Sequence, residues 1–164
     1  MEFYWQPTWP EIIAKQEQTL LYDKFTREMA LELGMKILEL AKTEYKQSAA
    51  IQIIEDGVVI FAYKMPGTDA ENDWWMGRKL ATSRLTGTSS LRACVESYAG
   101  IREPEWNERI GNFAACGGCF PVFRKDGKKP VHYVLVSGME HQDDHQIIAD
   151  AMAWQLGLAI PTII

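Results

Sequence analysis

The pair Asp56-Gly57, set between two strand-like runs, constrains the fold of this chain more than any other feature. It separates residues 49–54 from residues 58–63, and both runs are rich in β-branched and aromatic side chains. Asp-Gly in such a setting is typical of the tight turn that joins two antiparallel strands. Because the second run is apolar on both faces, we expect that strand to be covered on both faces.

A second pair, Asp126-Gly127, predicts a second hairpin, between a run at 113–123 and a run at 131–136. A short edge strand is expected at Thr19–Tyr22. Hairpins rather than βαβ crossovers indicate an antiparallel sheet, and helices lie before, between and after the hairpins. The predicted fold class is therefore α+β, with a sheet of about five antiparallel strands between helical layers.

Five helices are predicted from apolar periodicity and from capping residues. Their approximate bounds are Trp9–Glu17, Thr26–Lys46, Thr68–Leu85, Ser89–Gly100 and Asp143–Gly157. In the last helix the apolar face is formed by Ile147, Ala151, Trp154 and Leu158. A polar connection is expected at Glu103–Arg109.

The length and composition of the chain indicate one ordinary domain. A chain of 164 residues with 47% hydrophobic and 24% charged side chains can bury a single compact core. We expect residues 1–18 to form an aromatic arm and a short helix, and residues 19–164 to form one domain.

The charge of the chain argues against a nucleic-acid or membrane partner. Its formal net charge is −5, whereas binding to polyanions requires clustered cations. The basic pairs Arg124-Lys125 and Lys128-Lys129 flank a turn, and we interpret them as a solvated hairpin tip. No apolar run approaches the roughly 20 residues that cross a bilayer.

The first residues and the cysteines both predict a cytoplasmic location. Residues 1–7 lack the basic and apolar regions of a signal peptide. Three cysteines form an odd number in a chain that has enough core to fold without disulfides, which favours a reducing compartment.

The residues from Tyr63 to Lys79 hold the most unusual combination of side chains. Pro66-Gly67 ends a strand, and Thr68 with Glu71 has the spacing of a capping box at the start of a helix. On that helix Asn72, Trp75 and Lys79 share one face. An amide, an indole and an ammonium suit the wall of a pocket for a flat or anionic ligand better than a core face.

The motif Cys116-Gly117-Gly118-Cys119 has two interpretations. Two thiolates at this spacing could hold half of a zinc site or form a redox pair, but a second cysteine pair is missing and a strand follows. The alternative is that Gly117 and Gly118 allow a close approach of the backbone while the sulfur atoms are buried as small apolar groups. We favour the alternative and predict no metal site.

The histidines and Ser137 allow several interpretations. His132, His141 and His145 could bind iron or transfer protons, but we favour strand packing for His132 and a cap or surface role at a helix start for the other two. Ser137 with Asp144 and His145 has the residue types of a hydrolase triad, but no nucleophile-elbow motif surrounds the serine.

Both ends of the chain are apolar, with Phe3, Tyr4 and Trp5 at one end and residues 159–164 at the other. Chain ends are usually polar and frayed, so these ends predict a homo-oligomer that buries them. The alternative is that the ends fold back on their own core.

Several motifs together resemble uncharacterised protein family 0303, a branch of the haem-degrading-domain (GlcG/HbpS-like) superfamily. They are 63–68, then Asn72-Asp73, Trp75, Arg78-Lys79 and Thr88-Ser89-Ser90, then Gly111–Pro121, Val136-Ser137-Gly138 and Asp144-His145. The resemblance covers nearly the whole chain after Thr19. In the family pattern a histidine precedes the paired serines, and Thr88 stands there in this chain, so no haem chemistry is carried over to that position.

The resemblance implies a profilin-like three-layer α/β/α domain in higher oligomers, with a pocket near the first motif. Some members of the superfamily bind haem, and others are associated with small organic acids or corrinoid metabolism. We expect a cytoplasmic homo-oligomer that binds a small anionic ligand, with planar molecules such as haem among the candidates. The expected ligand contacts are Met65, Pro66, Gly67, Thr68, Asn72, Trp75, Lys79, Ser89, Gly117, Gly118, Ser137, Gly138 and His145.

Two other functions remain open from the sequence. One is an enzyme acting on a small organic acid or a tetrapyrrole, although no complete catalytic set of residues is present. The other is an oligomeric adaptor that holds no ligand in a pocket.

Overall fold

The computed structural model describes residues 2–106 and 111–164. Its helices are α1 (Trp9–Thr19), α2 (Arg27–Leu40, continued by a π-helical turn Ala41–Tyr45), α3 (Ala70–Thr86), α4 (Ser90–Tyr98) and α5 (His141–Leu156). Its strands are β1 (Leu21–Tyr22), β2 (Ala50–Glu55), β3 (Val58–Lys64), β4 (Cys119–Pro121), β5 (Phe123–Arg124) and β6 (His132–Ser137).

The main sheet has four strands in the order β3-β2-β6-β4, and all of its neighbours are antiparallel. The two predicted hairpins are both present, because β2 pairs with β3 and β4 pairs with β6. The strand count is lower than predicted, since β5 leaves the sheet and pairs in parallel with β1. The mixed α+β class with an antiparallel sheet is confirmed.

Helices cover both faces of this sheet. Alternate residues of β2 point in opposite directions, so Ile51 and Ile53 pack under α2 and α5. On the other face, Ala50 and Ile54 pack against Met76 of α3. A smaller apolar cluster joins α1 to α4 through Trp9, Ile13, Leu91 and Val95. The three-layer arrangement places the starts of α3 and α5 near the same end of β6.

The start of α3 differs by one residue from the prediction. Its N-cap is Asp69, whose carboxylate accepts from the Glu71 N–H at 2.9 Å, and the Asn72 side chain accepts from the Asp69 N–H at 2.9 Å. Thr68 instead donates its hydroxyl to the carbonyl of Met65. Both Thr and Asp are good N-caps, so the local sequence could not decide between them.

Two predictions about covered surfaces were wrong. β3 is the edge strand of the sheet, so Val58 and Tyr63 remain 54% and 45% exposed. The apolar face predicted for the last helix includes Trp154 on α5 and Leu158 just beyond its end, and these are 49% and 44% exposed. In both cases the order of the layers, which sequence periodicity does not contain, decides what is covered.

The strand predicted from residue 113 begins only at Cys119. Ahead of it, a Cβ atom on Gly117 would collide with the carbonyl of His141, so this segment lies against the start of α5 instead of extending the sheet. The connection predicted at Glu103–Arg109 falls partly outside the described residues. Within the described residues, no helix combines the length and the apolar character needed to cross a bilayer.

Candidate functional site

A cavity of about 550 Å³ lies where the start of α3, the end of β6 and the start of α5 meet the N-terminal arm. The residues that were predicted for the site and line this cavity are Gly67, Asn72, Trp75, Lys79, Ser137 and Gly138. The sequence pattern therefore located the wall that the turn after β3 and helix α3 contribute.

The turn after β3 fixes the polar wall of the cavity. Gly67 has a φ angle of +94°, a conformation that a residue with a Cβ rarely adopts. Asn72 spans two elements, because its carbonyl oxygen caps α3 while its Nδ2 donates to the Ser137 hydroxyl at 3.2 Å. One turn along the helix, the half-buried Trp75 presents its indole to the same cavity.

The floor of the cavity is a buried ion pair. Lys79 Nζ lies 3.2 Å from Asp144 Oδ2 and donates to the carbonyl of Val136 at 3.0 Å, and both charged side chains are 3% exposed. The other Asp144 oxygen accepts from the Met139 N–H at 3.1 Å. Burial raises the pKa of Asp144 to about 6 even though Lys79 counteracts it, so Asp144 is ionised at neutral pH.

The paired glycines serve close packing. Gly118 has a φ angle of +130°, and a Cβ atom there would collide with the carbonyl of Val136 and lie 2.6 Å from Lys79 Nζ. The Gly117 N–H donates to His141 Nδ1 at 3.1 Å. Close backbone approach, the interpretation that the sequence favoured for these glycines, is confirmed.

The other residues predicted around the turn lie beside the cavity. Met65 is buried, Pro66 accepts a hydrogen bond from Ser48 through its carbonyl, and Thr68 bonds back to Met65. These three residues hold the turn in shape and do not line the cavity.

Two further predicted residues lie deeper in the molecule. Ser89 caps α4 and donates its hydroxyl to the buried carboxylate of Glu17 at 2.8 Å. His145 is fully buried, and its Nε2 lies 2.7 Å from the side-chain oxygen of Gln16. Burial lowers the pKa of His145 to about 3, so the ring is neutral at pH 7. Neither side chain lines the cavity.

His141 lines the cavity, although it was not among the residues predicted to contact a ligand. Its Nδ1 accepts from the Gly117 N–H, so its Nε2 carries the proton and donates to the Tyr4 carbonyl at 2.6 Å. Burial lowers the pKa of His141, in agreement with a neutral ring. Both ring nitrogens are thus engaged, and neither presents a free lone pair to the cavity.

The N-terminal arm folds back over the cavity. Phe3 and Tyr4 line it, the Phe3 ring packs on His141 with centroids 4.8 Å apart, and the Phe3 N–H donates to the Tyr98 hydroxyl at 3.0 Å. At the other end of the chain, Ile163 packs against the α1–α4 cluster. For these residues the structure agrees with the alternative that the ends fold back on their own core.

The rim of the cavity is acidic. Glu2, Asp69, Glu71 and Glu140 are exposed side chains around its opening, whereas the charge of Lys79 is balanced by Asp144 in the floor. The start of α5 also lies at the cavity, and no side chain caps it. The arrangement can hold a flat molecule against aromatic side chains, above a polar floor with no net charge.

The three cysteines are free and buried. Burial raises the pKa of Cys116 to about 11 and the pKa values of Cys94 and Cys119 to about 12, so all three are unreactive thiols at neutral pH. Across residues 2–106 and 111–164, no cluster of three or more His, Cys, Asp or Glu side chains is placed to bind a metal ion.

Comparison with known proteins agrees with this architecture. The family model described as haem degrading protein HbpS-like matches residues 25–153. The UPF0303 protein YE1367 of Yersinia enterocolitica is 37% identical over 152 residues, covering 91% of this chain and 89% of the relative.

Two solved structures share the fold. The Ybr137w protein superposes with a TM-score of 0.75 at 23% identity and covers 90% of this chain and 88% of its own. The PduOC:Heme complex superposes with a TM-score of 0.63 at 18% identity and covers 81% of this chain and 94% of its own. On the match over residues 25–153 and the 37% identity, this chain belongs to the HbpS-like haem-degrading protein family and, within it, to the UPF0303 proteins.

Proposed function

We propose that this protein binds a small planar ligand, with haem as the leading candidate, in the cavity between α3, α5 and the N-terminal arm. The observation that carries the proposal is the pairing of aromatic walls, Trp75 and Phe3, with a buried polar floor. A volume of about 550 Å³ lies within the range of small-molecule pockets. Membership of the HbpS-like family and the fold shared with a haem complex support the choice of haem.

The charges of the cavity refine the expectation of an anionic ligand. Lys79 uses two of its three donor positions on Asp144 and Val136, so one N–H remains for a carboxylate. The uncapped N-terminus of α5 supplies further donors. Because the exposed rim carries carboxylates, a ligand that is only an anion would be repelled, and stacking on Trp75 has to provide most of the affinity.

The residues present fit the ring of a haem better than its iron. His141 donates through Nε2 and accepts through Nδ1, so it cannot bind iron in this arrangement. We therefore assign His141 no iron-binding role and expect the ring and its carboxylates to be recognised. Haem would bring its own redox chemistry, while Trp75 and Lys79 would orient it.

Replacing Trp75 by alanine is expected to weaken haemin binding roughly tenfold, because the stacking surface is lost. The measurement is a titration of the purified protein with haemin, followed in the Soret region. Trp154→Ala is the matched control, since Trp154 is exposed on α5 and does not line the cavity. If the spectrum matches that of free haemin at every ratio of haemin to protein, the proposal is wrong.

The same titration separates binding from catalysis. Slow bleaching of a saturated complex under a reductant would favour the alternative of an enzyme, and a stable spectrum would favour a binding protein. We propose a cytoplasmic location, where the three buried thiols stay reduced.

We also propose a homo-oligomer, and the described surface favours the β3 edge over the chain ends as its interface. β3 has seven residues and, among residues 2–106 and 111–164, pairs only with β2. Large apolar side chains stay exposed on it, namely Val58, Val59 and Tyr63. An unpaired apolar edge strand readily adds another strand, and a second copy offers the same edge.

Val59→Lys is expected to shift the protein toward single chains, since an ammonium would be buried at the paired edge. Equilibrium ultracentrifugation at micromolar concentration measures this shift. Ile101→Lys places the same charge at another exposed apolar position, and Ile101 is 64% exposed. The edge interface is wrong if both variants keep the oligomer, and the oligomer itself is wrong if the unmodified protein is a monomer.

A further inference from the structure

A second cavity, of about 470 Å³, lies between the end of α1, strand β5 and the turn that leads to β6. Its charged lining consists of four cations, Arg92, Arg124, Lys128 and Lys129, against one carboxylate, Glu17. The chain as a whole carries a net charge of −5, so this concentration of positive charge runs against the rest of the molecule.

The one carboxylate in this cavity is already fully engaged. Glu17 accepts from the Ser89 N–H at 3.1 Å, from the Ser89 hydroxyl at 2.8 Å and from Arg92 Nη1 at 3.1 Å. The Glu17 carboxylate therefore neutralises Arg92 and contributes little negative potential at the opening of the second cavity. The remaining cations determine the charge that a ligand meets.

Those cations keep unused hydrogen-bond donors. Arg124 binds Asp126 through Nη2 at 2.7 Å, but its buried Nε has no hydrogen-bond partner. The Asp126 carboxylate is held in turn by the Lys128 N–H at 2.9 Å. In the part of the chain that the structure describes, neither Lys128 nor Lys129 forms an ion pair. Two ammonium groups, and the Nε of a guanidinium that is already paired with Asp126, are thus left to receive an anion.

The uncharged part of the lining is apolar. Leu21 and Phe123 face each other in the parallel pair of β1 and β5, and Pro130 lies beside them. This short pair fixes Phe123 and the following Arg124 next to the cavity, so an apolar surface adjoins the guanidinium. A ligand that fills the site must combine an anionic group with an apolar or aromatic part.

We propose that this second cavity binds a small phosphate ester. The two lysines match the charge of a phosphate group, they and the free Nε of Arg124 match its several acceptor oxygens, and Phe123 with Pro130 would contact the esterified part. The first cavity has an acidic rim and a floor with no net charge, so a doubly charged phosphate group matches the second cavity better. The proposal is independent of haem binding.

Isothermal titration calorimetry with phenyl phosphate tests the site. We expect saturable binding that weakens as the salt concentration rises. Added salt shortens the Debye length, which is about 8–10 Å near physiological ionic strength, and so screens the exposed charges of the site. The double variant Lys128→Gln/Lys129→Gln is expected to bind about tenfold more weakly, since two charge-assisted contacts are lost. Both lysines are exposed, so the fold should tolerate their replacement.

The matched control is Lys15→Gln/Lys42→Gln, which removes the same charge from exposed positions that line neither cavity. Circular dichroism checks that all variants are folded. If both double variants bind phenyl phosphate equally weakly, the loss follows from net charge alone, and the proposed site is wrong. An absence of saturable heat with the unmodified protein would overturn it as well. Either result leaves haem binding unaffected.

Discussion

Lys79→Met is expected to lower the free energy of unfolding by roughly 3–5 kcal/mol, the largest effect of any single change considered for this chain. The reason is the charge left behind, because Asp144 is 3% exposed and would lose its counter-charge at 3.2 Å. Methionine keeps most of the aliphatic stem of lysine, so little of the loss comes from a cavity. Urea denaturation followed by tryptophan fluorescence measures it.

The pH dependence of this loss distinguishes a charge effect from a packing effect. The pKa of Asp144 is already raised to about 6 by burial, and removal of Lys79 raises it further. At pH 5 the variant can protonate Asp144 and avoid a buried charge, so the loss should be smaller there than at pH 8. A loss of the same size at both pH values would contradict the charge explanation.

Two further variants complete the test. In Lys79→Met/Asp144→Leu no buried charge remains, so most of the lost stability should return. Lys125→Met removes one partner of the exposed pair with Asp23, for which about 0–1 kcal/mol is expected. A double variant as unstable as Lys79→Met alone would show that the pair itself stabilises the fold.

The sequence predicted the parts of this molecule that depend on local chemistry. Asp56-Gly57 and Asp126-Gly127 dictated turns, and the period of apolar residues located α2 and α3. The face formed by Asn72, Trp75 and Lys79 does line a cavity, because residues three, four and seven apart share a helix face.

The parts that were missed depend on contacts between distant segments. The partner of Lys79 is Asp144, 65 residues further along the chain, and no spacing rule connects them. The closure of the cavity by Phe3 and Tyr4 brings the first residues against His141 near the other end. Aromatic side chains at the N-terminus did signal burial, but they could not say whether a second chain or their own chain would bury them.

The order of the strands in the two sheets explains the remaining features that the sequence did not predict. β3 reads as a strand covered on both faces, yet it is the edge strand, because β6 takes the other side of β2. Likewise, Arg124 and Lys128 flank a turn in the sequence, and only the pairing of β5 with β1 shows that this turn borders a cavity.

Acid is expected to destabilise this protein through His145. The ordinary pKa of histidine is near 6.5, and burial lowers the pKa of His145 to about 3. Between these values the unfolded chain binds a proton that the folded protein cannot accept. Stability is therefore complete above pH 6.5 and falls as the pH drops toward 3, by an amount on the order of 4 kcal/mol from this residue.

Other titratable groups also modify this pH profile. His141 acts in the same direction, because its pKa is also lowered by burial. Asp144 acts in the opposite direction, since its raised pKa of about 6 makes the folded protein bind a proton before the unfolded chain does, and this stabilises it as the pH falls from 6 to 4. The contribution of His145 should exceed that of Asp144, because the pKa of His145 lies further from its ordinary value.

His145→Gln isolates the main contribution. A glutamine amide can still donate to Gln16, as His145 Nε2 does at 2.7 Å, but it does not titrate. The variant should lose some stability at pH 7 through its contact with the Phe120 ring, and its stability should change much less between pH 7 and pH 4 than that of the unmodified protein. Urea midpoints across this range measure the slope. An unchanged slope in His145→Gln would mean that other groups cause the acid sensitivity, whatever the absolute stability of the variant.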